Sequence, residues 1–547
     1  MIIRINKIKQ KMKKRFLPIE DLNFGFNDAE NYKKRENKEL FNRIFVKSDK
    51  LDEILDPARY FLIGDKGTGK TAYAVFLANN DYKGTKSQIK YIRETDYQKF
   101  VTLKNERHLQ LSDYNNIWKV ILYLLICQQI INEEPRGFWD KVWHRKFRPL
   151  NNAIQEYFMN AFNPEIIYAL NFVEEAKLAA ELVSKHAKLG GDRSVSTSFS
   201  ESRFQINLMY LERKFEEAID SLKLEKDHIL FIDGIDIRPG QIDYKDYLDC
   251  IKGLANAVWT LNSDFFSNIK DSKGRIKIVM LIRPDIFSSI GLQNLNNKIK
   301  DNSILLDLRT TYPSYRTSLI FRIIDNLLSA QQTCSLEVGE AWDHYFPYQK
   351  FAGGRREDSF IAFLRYSMSR PRDIISALSI LRENYEKANK IKLNVFTADD
   401  FDSPDFKNVY SQYMLGEIKD FLSFYYKKED YELFLKFFQF LQGKFQFTYE
   451  DYEAVFNDFV EYTSGVYEEL PGFLQTKEKF LQFLFELNVI CYLDRVEDGR
   501  MWMRWCYRER SYSNIAPKVK LHTEYRIHYG LSKALNVGKR IRTRKKK

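Results

Sequence analysis

The sequence has few of the residues that build disulfide frameworks and zinc sites. Its five cysteines are odd in number and widely spaced, and they form no Cys-X-X-Cys pair, which argues against both. Its seven histidines form no His-X-X-X-His motif and no cluster with cysteine. His522 and His528, six residues apart, are expected to be solvated or core side chains rather than metal ligands.

Long hydrophobic runs are also missing. The most apolar stretch, Val120–Cys127, is eight residues long and is flanked by Lys119 and Gln128, whereas a membrane-spanning helix needs about 20 residues. The N-terminus alternates isoleucine with lysine and arginine, and it lacks the apolar core and the cleavage site of a secretory signal. We therefore expect a cytoplasmic protein without a membrane partner.

The basic charge is concentrated at the two ends of the chain. The net charge is +12, but residues 1–15 and 539–547 each carry seven lysines and arginines and no acid. The rest of the chain has 72 basic and 74 acidic residues, so its charge is −2. These two basic arms either bind a nucleic-acid backbone without sequence preference or are solvated tails that aid solubility.

The length and composition predict a globular chain of several domains. At about 150 residues per domain, 547 residues predict three to four domains, and 44% hydrophobic residues are enough to bury a large core. Apolar runs predict five strands, at residues 59–63, 89–92, 228–233, 276–282 and 304–307. Helical periodicity dominates elsewhere, including 113–132, 245–262, 313–331 and 357–387. The fold class is therefore α/β, with a five-stranded parallel sheet.

One motif predicts a phosphate-binding loop. The run Gly64-Asp65-Lys66-Gly67-Thr68-Gly69-Lys70-Thr71 matches Gly-X4-Gly-Lys-Ser/Thr in full, directly after an apolar strand and before an alanine-rich helix. The glycines let backbone N–H groups curl around a β-phosphate at the positive end of the helix. Lys70 is expected to reach the β- and γ-phosphate oxygens of ATP, and the Thr71 hydroxyl to ligate Mg²⁺.

A second acid is needed to hold the Mg²⁺ shell, and Asp233 is the candidate. Four apolar residues lead directly into it, which places it at the end of a buried strand. Gly234 follows, at the position where many ATPases carry a catalytic glutamate, and Asp236 is the nearest substitute. Since Asp236 is shorter and stands two residues later, we expect slow turnover. Asp236 as an ordinary loop acid is the alternative.

Two arginines are candidates for contacts with the γ-phosphate. Arg283 follows the strand 276–282, and the carboxyl ends of parallel strands line the ligand crevice of such a sheet. Arg372 lies in Ser369-Arg370-Pro371-Arg372-Asp373-Ile374, which opens a helix in a predicted lid. For each of them, a surface or ion-pair role is the alternative.

These motifs, in this order, resemble a FunZ-like group of bacterial P-loop ATPases over roughly residues 20–390. That group is similar to the origin-recognition and STAND branches of the AAA+ superfamily, and the phrase Phe24-Gly25-Phe26-Asn27-Asp28-Ala29-Glu30 also fits it. The resemblance implies that Asp233 is the Walker B acid, Arg283 a sensor 1 arginine and Arg372 a sensor 2 arginine. The sequence departs from the pattern in a long, mostly helical insertion at about 105–225.

The last part of the chain predicts a winged-helix outline. Three helices precede a hairpin, with Thr476 as the N-cap of the third helix and a turn at Asp498-Gly499. Residues 445–476 contain seven acids and no lysine or arginine, which favours a protein-binding role over DNA reading. The predicted domains are an arm and lead-in (1–50), an ATPase core (51–310), a lid (311–415), a winged-helix-like domain (416–530) and a basic tail (531–547).

The sequence thus predicts an ATP-dependent molecular switch that uses ATP and Mg²⁺. Its nucleotide state would control assembly, as a homo-oligomer, or engagement of a protein partner, and the resemblance implies a role in antiviral defence. Two alternatives stay open. One is an ATPase that loads on or remodels nucleic acid, and the other is a scaffold that holds ATP without hydrolysing it.

Overall fold

A computed structural model describes most of the chain. The described residues are 16–92, 111–133, 148–153, 201–238, 242–292, 295–352, 355–387, 394–465, 470–495 and 501–538. Both basic arms (1–15 and 539–547), the hairpin turn at Asp498-Gly499 and much of the predicted insertion at 105–225 lie outside these residues.

Eleven strands are formed by the described residues. They are β1 (Phe61–Ile63), β2 (Lys86–Tyr91), β3 (His228–Asp233), β4 (Ile276–Ile282), β5 (Ser303–Leu305), β6 (Gln349–Ala352), β7 (Arg355–Asp358), β8 (Gln446–Thr448), β9 (Ile490–Arg495), β10 (Met501–Arg504) and β11 (Glu524–Ile527).

Helices account for most of the remaining described chain. They are α1 (Arg35–Ile44), α2 (Lys50–Leu55), α3 (Lys70–Asn79), α4 (Leu111–Glu133), α5 (Glu201–Asp220), α6 (Tyr244–Thr260), α7 (Pro284–Ser289), α8 (Leu295–Asn302), α9 (Leu319–Ser329), α10 (Glu340–Tyr345), α11 (Ser359–Tyr366), α12 (Pro371–Lys387), α13 (Ala398–Asp402), α14 (Pro404–Tyr425), α15 (Lys428–Phe440), α16 (Tyr449–Ser464), α17 (Lys477–Glu486) and α18 (Cys506–Glu509). Short 3-10 turns and one π-helical turn (Leu261–Phe265) join them.

The described residues divide into two compact units. The first contains residues 49–64 and 70–306, and the second contains residues 16–48, 65–69 and 307–538. The predicted lid (311–415) and the predicted winged-helix-like segment (416–530) both belong to the second unit.

The first unit is built around a five-stranded, all-parallel sheet, so the α/β prediction is confirmed. The strand order is β2-β3-β4-β1-β5, which places β1 between β4 and β5 and leaves β4 between β1 and β3. Every residue of β3 and β4 is buried, as expected for continuous apolar strands whose two faces are both covered. The carboxyl ends of β1, β3 and β4 therefore meet at one edge of the sheet.

Two helices of this unit pack very closely. A Cβ atom added at Gly253 in α6 would lie 2.5 Å from the Cβ atom of Tyr114 in α4. The absence of a side chain at this position thus lets the two helices approach. The indole N–H of Trp118 in α4 also donates to the carbonyl of Cys250 in α6 (3.1 Å), deep in the core.

The second unit contains a four-stranded antiparallel sheet in the order β10-β9-β11-β8. The hairpin β9–β10 was expected, but β11 pairs with both β9 and β8, and neither β8 nor β11 was predicted. The helices α15, α16 and α17 precede the hairpin in the predicted order, and the Thr476 hydroxyl caps α17 by accepting the Lys479 N–H.

The segment 357–387, which was predicted to be helical, forms the end of β7 and then α11 and α12, and the two helices are separated by residues 367–370. The second helix, α12, begins at Pro371, within the motif that was expected to open a helix. Pro371 has no N–H to continue a helix and disfavours helical geometry in the residue before it. Ser369, two residues before Pro371, has a positive φ of 52°.

None of the helices in the described part of the chain combines the length and the apolar character that a membrane crossing requires.

Candidate functional site

The residues of the predicted phosphate loop are divided between the two units. Gly64, Lys70 and Thr71 belong to the first unit, and the middle of the loop, Asp65–Gly69, belongs to the second.

In the first unit, the loop begins at the end of β1 and ends where α3 begins. The amide of Gly64 donates to the carbonyl of Ile282 at the end of β4 (3.2 Å), which fixes the start of the loop against the neighbouring strand. Lys70 is the first residue of α3, and its buried Nζ donates to the carbonyl of Gly64 (2.7 Å). The ammonium group is therefore folded back over the start of the loop.

Thr71 and Asp233 are brought together by the sheet. Thr71 Oγ1 donates to Asp233 Oδ2 at 2.6 Å, although the two residues are 162 positions apart. Asp233 ends β3, and its Oδ1 accepts the amide N–H of Gly234 (2.8 Å). A hydroxyl and a carboxylate oxygen thus lie side by side at the edge of the sheet where the loop begins.

These two oxygens are hard ligands of the kind that Mg²⁺, Ca²⁺ and Mn²⁺ prefer. Mg²⁺ prefers hard oxygen ligands and is bound in nucleotide sites by one or two protein groups, with phosphate oxygens and water completing its shell. Within the described ranges, no group of three or more histidine, cysteine, aspartate or glutamate side chains is arranged as a metal site. The Thr71 hydroxyl and the Asp233 carboxylate could supply two ligands of a Mg²⁺ shell, and phosphate oxygens and water would have to supply the others.

The surroundings of Asp233 disfavour the charged form of its carboxyl group. Burial, and to a smaller degree the charge of Asp236, raise the pKa of Asp233 to about 6. The Thr71 hydroxyl, the Gly234 amide and the Lys70 ammonium act in the opposite direction on this pKa. Buried carboxylates with a raised pKa are common at functional sites.

Gly234 cannot be replaced by a side-chain-bearing residue without a collision. Its φ is +85°, and a Cβ atom there would lie 2.7 Å from the carbonyl oxygen of Ile92, which follows β2. The chain geometry therefore excludes a glutamate directly after Asp233. Asp236 is partly exposed in the turn that follows, and it lies near enough to Asp233 to raise the pKa of that carboxyl.

We predict that Gly234→Ala lowers the free energy of unfolding by about 2 kcal/mol or more, because it combines a left-handed backbone with a backbone collision. Chemical denaturation measures this change. Gly84→Ala is the matched control, since Gly84 also has a positive φ (76°) but its added Cβ would meet no atom within 4 Å. Equal losses in the two variants would contradict a special constraint at Gly234.

Arg283 is buried and its side chain is engaged by an acid. It is the N-cap residue of α7, directly after β4, and its guanidinium pairs with the carboxylate of Asp285 through Nε (3.1 Å) and Nη2. Its position at the carboxyl end of β4 agrees with the sequence prediction. In this conformation, however, the charge is directed to Asp285, as in the alternative interpretation of an ion pair.

In the second unit, the middle of the loop is tied down by side chains from distant parts of the sequence. Gly67 and Gly69 have φ values of +84° and +101°, which only glycine adopts freely. Lys66 forms an ion pair with Asp420 of α14 (2.8 Å), and the carboxylate of Asp65 pairs with the buried guanidinium of Arg510.

The arginines of the predicted lid also contact this part of the loop. Arg372 packs against Gly67, where an added Cβ would lie 3.1 Å from the Cβ of Arg372, and its Nε donates to the carbonyl of Asn27 (2.9 Å). Arg370 donates to the carbonyl of Lys66 (3.2 Å) while Asp373 holds the rest of its guanidinium. Burial opposes the charge of Arg370, but Asp373 more than offsets this, and the pKa of Arg370 lies above its usual range.

Sequence reasoning missed three residues of this arrangement. Arg370 stands in the same motif as Arg372 and could have been considered with it. Glu417, which lies near Lys66, Arg370 and Arg372, and Arg510, which is 445 positions from Asp65, carry no local signal in the sequence.

Comparisons with known proteins do not identify a family. No protein-family model matches the chain, and no curated protein matches it.

Proposed function

We propose that this protein is an ATP-binding molecular switch of the P-loop class, with a lid and a winged-helix-like domain of the AAA+ kind, and that it hydrolyses ATP slowly. The observation that carries the proposal is the 2.6 Å contact between Thr71 Oγ1, next to the loop lysine, and Asp233 Oδ2 at the end of a buried strand. A loop matching the phosphate-binding motif and an acid at the same sheet edge are two of the parts that nucleotide hydrolysis requires.

Each residue of the site has a defined role in this proposal. The backbone N–H groups of the loop surround the β-phosphate, and Lys70 leaves the Gly64 carbonyl to pair with the β- and γ-phosphate oxygens. Thr71 and Asp233 hold Mg²⁺, which neutralises charge that develops on the phosphates during transfer. Asp236 positions or polarises the attacking water, because Gly234 supplies no side chain for this task.

The contacts in the second unit support a switch rather than a simple hydrolase. The middle of the loop is held by Arg370, Arg372, Lys66 and Asp65 contacts to the lid, to α14 and to the segment after α18. A triphosphate arriving at the loop alters the charge that these side chains experience. The nucleotide state would in this way reach the predicted winged-helix-like domain and the surfaces that engage a second copy or a protein partner. A role in antiviral defence follows from the sequence resemblance alone.

The test is the nucleotide content and the mass of the purified protein, with and without ATP and Mg²⁺. We expect the purified protein to contain adenine nucleotide and to release phosphate slowly. We also expect its molecular mass in solution to change when ATP is added, because the nucleotide state is proposed to control assembly. Retained ATP without phosphate release would favour the scaffold alternative. A protein that neither retains nor binds ATP would contradict the proposal.

Nucleic-acid binding is the second candidate, because fourteen of the 86 basic residues lie in the two arms. Deleting residues 539–547 is expected to reduce the salt dependence of duplex binding in proportion to the number of phosphates that this tail neutralises, and to leave ATPase activity without DNA unchanged. Binding measured from about 50 to 200 mM salt tests this. A truncated protein that still binds one DNA sequence tightly at physiological salt would show that other residues read bases.

A further inference from the structure

One carboxylate in the second unit lies near three cationic side chains but is too far from each of them for a hydrogen bond. Glu417 of α14 lies 3.7 Å from Lys66 Nζ, 3.8 Å from Nη1 of Arg370 and 3.8 Å from Nη1 of Arg372. All three distances exceed the length of a hydrogen bond. The side chain of Glu417 is 11% exposed, and its Oε2 accepts no hydrogen bond from the residues that the structure describes.

The neighbouring acids behave differently. Asp373 is fully buried and accepts hydrogen bonds from Arg370, the Met368 amide and the Tyr413 hydroxyl. Asp420 pairs with Lys66 at 2.8 Å and is 63% exposed. Both of these acids have short, directed partners, whereas Glu417 has only longer-range attraction.

The charges of this cluster balance only when Glu417 is counted. Its three cations, Lys66, Arg370 and Arg372, face the three carboxylates of Asp373, Asp420 and Glu417. Without Glu417 one positive charge is left uncompensated in a largely buried place. Lys66 belongs to the phosphate loop and Arg372 packs against Gly67 of the same loop, so the excess charge would lie where a nucleotide phosphate is expected.

We propose that Glu417 is an internal counter-ion that occupies the cation cluster in place of the γ-phosphate of ATP and thereby sets how strongly the site prefers ATP over ADP. The inference rests on the proposed function and adds the regulation of the same site. The γ-phosphate makes short, charge-assisted hydrogen bonds with guanidinium groups, which Glu417 in its present position does not. ATP therefore displaces Glu417 from the arginines, and ADP, which lacks that phosphate, leaves it in place.

The displacement of Glu417 by ATP would also affect α14, the helix that contains this residue. Glu417 lies within this helix of 22 residues, about one turn before Asp420, so a change in its attraction to the lid arginines acts on the whole helix. The affinity difference between ATP and ADP is the direct readout of this competition, because both nucleotides share the contacts of the loop backbone.

The experiment is isothermal titration of ATP and of ADP, each with Mg²⁺, into the full-length wild-type protein and Glu417→Gln. We expect Glu417→Gln to bind ATP about tenfold more tightly, equivalent to about 1.4 kcal/mol, and to bind ADP with less than about twofold change. Glutamine keeps the size of the side chain and removes only its charge. Asp405→Asn is the matched control, since it removes an exposed carboxylate from the first turn of the same helix, about three turns before Glu417, and we expect it to alter neither affinity by more than about twofold.

The double variant Glu417→Gln/Arg372→Gln shows whether Glu417→Gln acts by removing the competitor of the γ-phosphate for Arg372 or by changing the structure of the site. If Glu417 competes for Arg372, the gain in ATP affinity disappears in the double variant. An unchanged ratio of ATP to ADP affinity in Glu417→Gln, or an equal loss of both affinities, would overturn the counter-ion role while the wild type still binds ATP. Failure of the wild type to bind ATP would instead overturn the proposed function.

Discussion

Lys70→Ala is expected to weaken ATP binding by well over tenfold. The ammonium group of Lys70 is buried at the start of α3 and is held only 2.7 Å from the Gly64 carbonyl at the other end of the loop. Hydrogen bonds to charged groups contribute roughly 1.5–3 kcal/mol each, and a phosphate that loses its cation in a buried site also loses the compensation for its desolvation. Titration with a fluorescent ATP analogue measures the loss.

A lysine of the same unit provides the control for this prediction. Lys273 is 80% exposed and pairs with Glu225 on the surface, so Lys273→Ala should bind ATP as the wild type does. Thermal unfolding of both variants shows whether the fold is retained. A folded Lys70→Ala protein with wild-type affinity would disprove the assignment of the loop.

Asp233→Asn is expected to reduce Mg²⁺-dependent ATP hydrolysis by roughly a hundredfold or more while nucleotide remains bound. The amide loses the negative charge that holds the cation, but it keeps the size of the side chain and its position beside Thr71. Because burial raises the pKa of Asp233 to about 6, removing its charge should leave the metal-free protein at least as stable as the wild type. Phosphate release over a range of Mg²⁺ concentrations measures the effect.

Asp236→Asn is the comparison that assigns the water-positioning role. Asp236 is near Asp233 but is partly exposed, so its replacement should slow hydrolysis less completely and leave the Mg²⁺ dependence intact. A wild-type rate in Asp236→Asn would mean that another group, such as one from a neighbouring subunit, positions the water. A wild-type rate in Asp233→Asn would show that the metal site lies elsewhere.

The lack of space for a side chain at Gly234 is one reason why we propose slow turnover. A glutamate cannot stand directly after Asp233, since its Cβ would lie 2.7 Å from the carbonyl oxygen of Ile92. The Ile92 carbonyl therefore excludes a glutamate from the position at which many ATPases carry the residue that activates water. Hydrolysis then depends on Asp236 or on a group brought by a partner, which suits a switch that waits for assembly.

The sequence by itself determined the parallel sheet and the elements that start the site. Continuous apolar runs such as 228–233 and 276–282 have no polar face, so they favour strands that are buried on both sides, and these became β3 and β4. The glycines of the loop and the helix-forming residues after Lys70 act over a few positions, and the strand β1 and helix α3 formed on either side of them. Local preference was sufficient for these features.

The tertiary structure alone decided which side chains meet. The pairing of β11 with β8 and β9 and the contact of Asp65 with Arg510 join residues far apart in the sequence. Glu417 likewise lies near Lys66, Arg370 and Arg372, which come from distant segments. Residues 367–370, which separate α11 from α12, carry Arg370, and its guanidinium donates to the carbonyl of Lys66, 304 positions earlier in the chain. Such contacts depend on the summed packing of many elements, and no periodicity or motif in one segment encodes the partner that it meets.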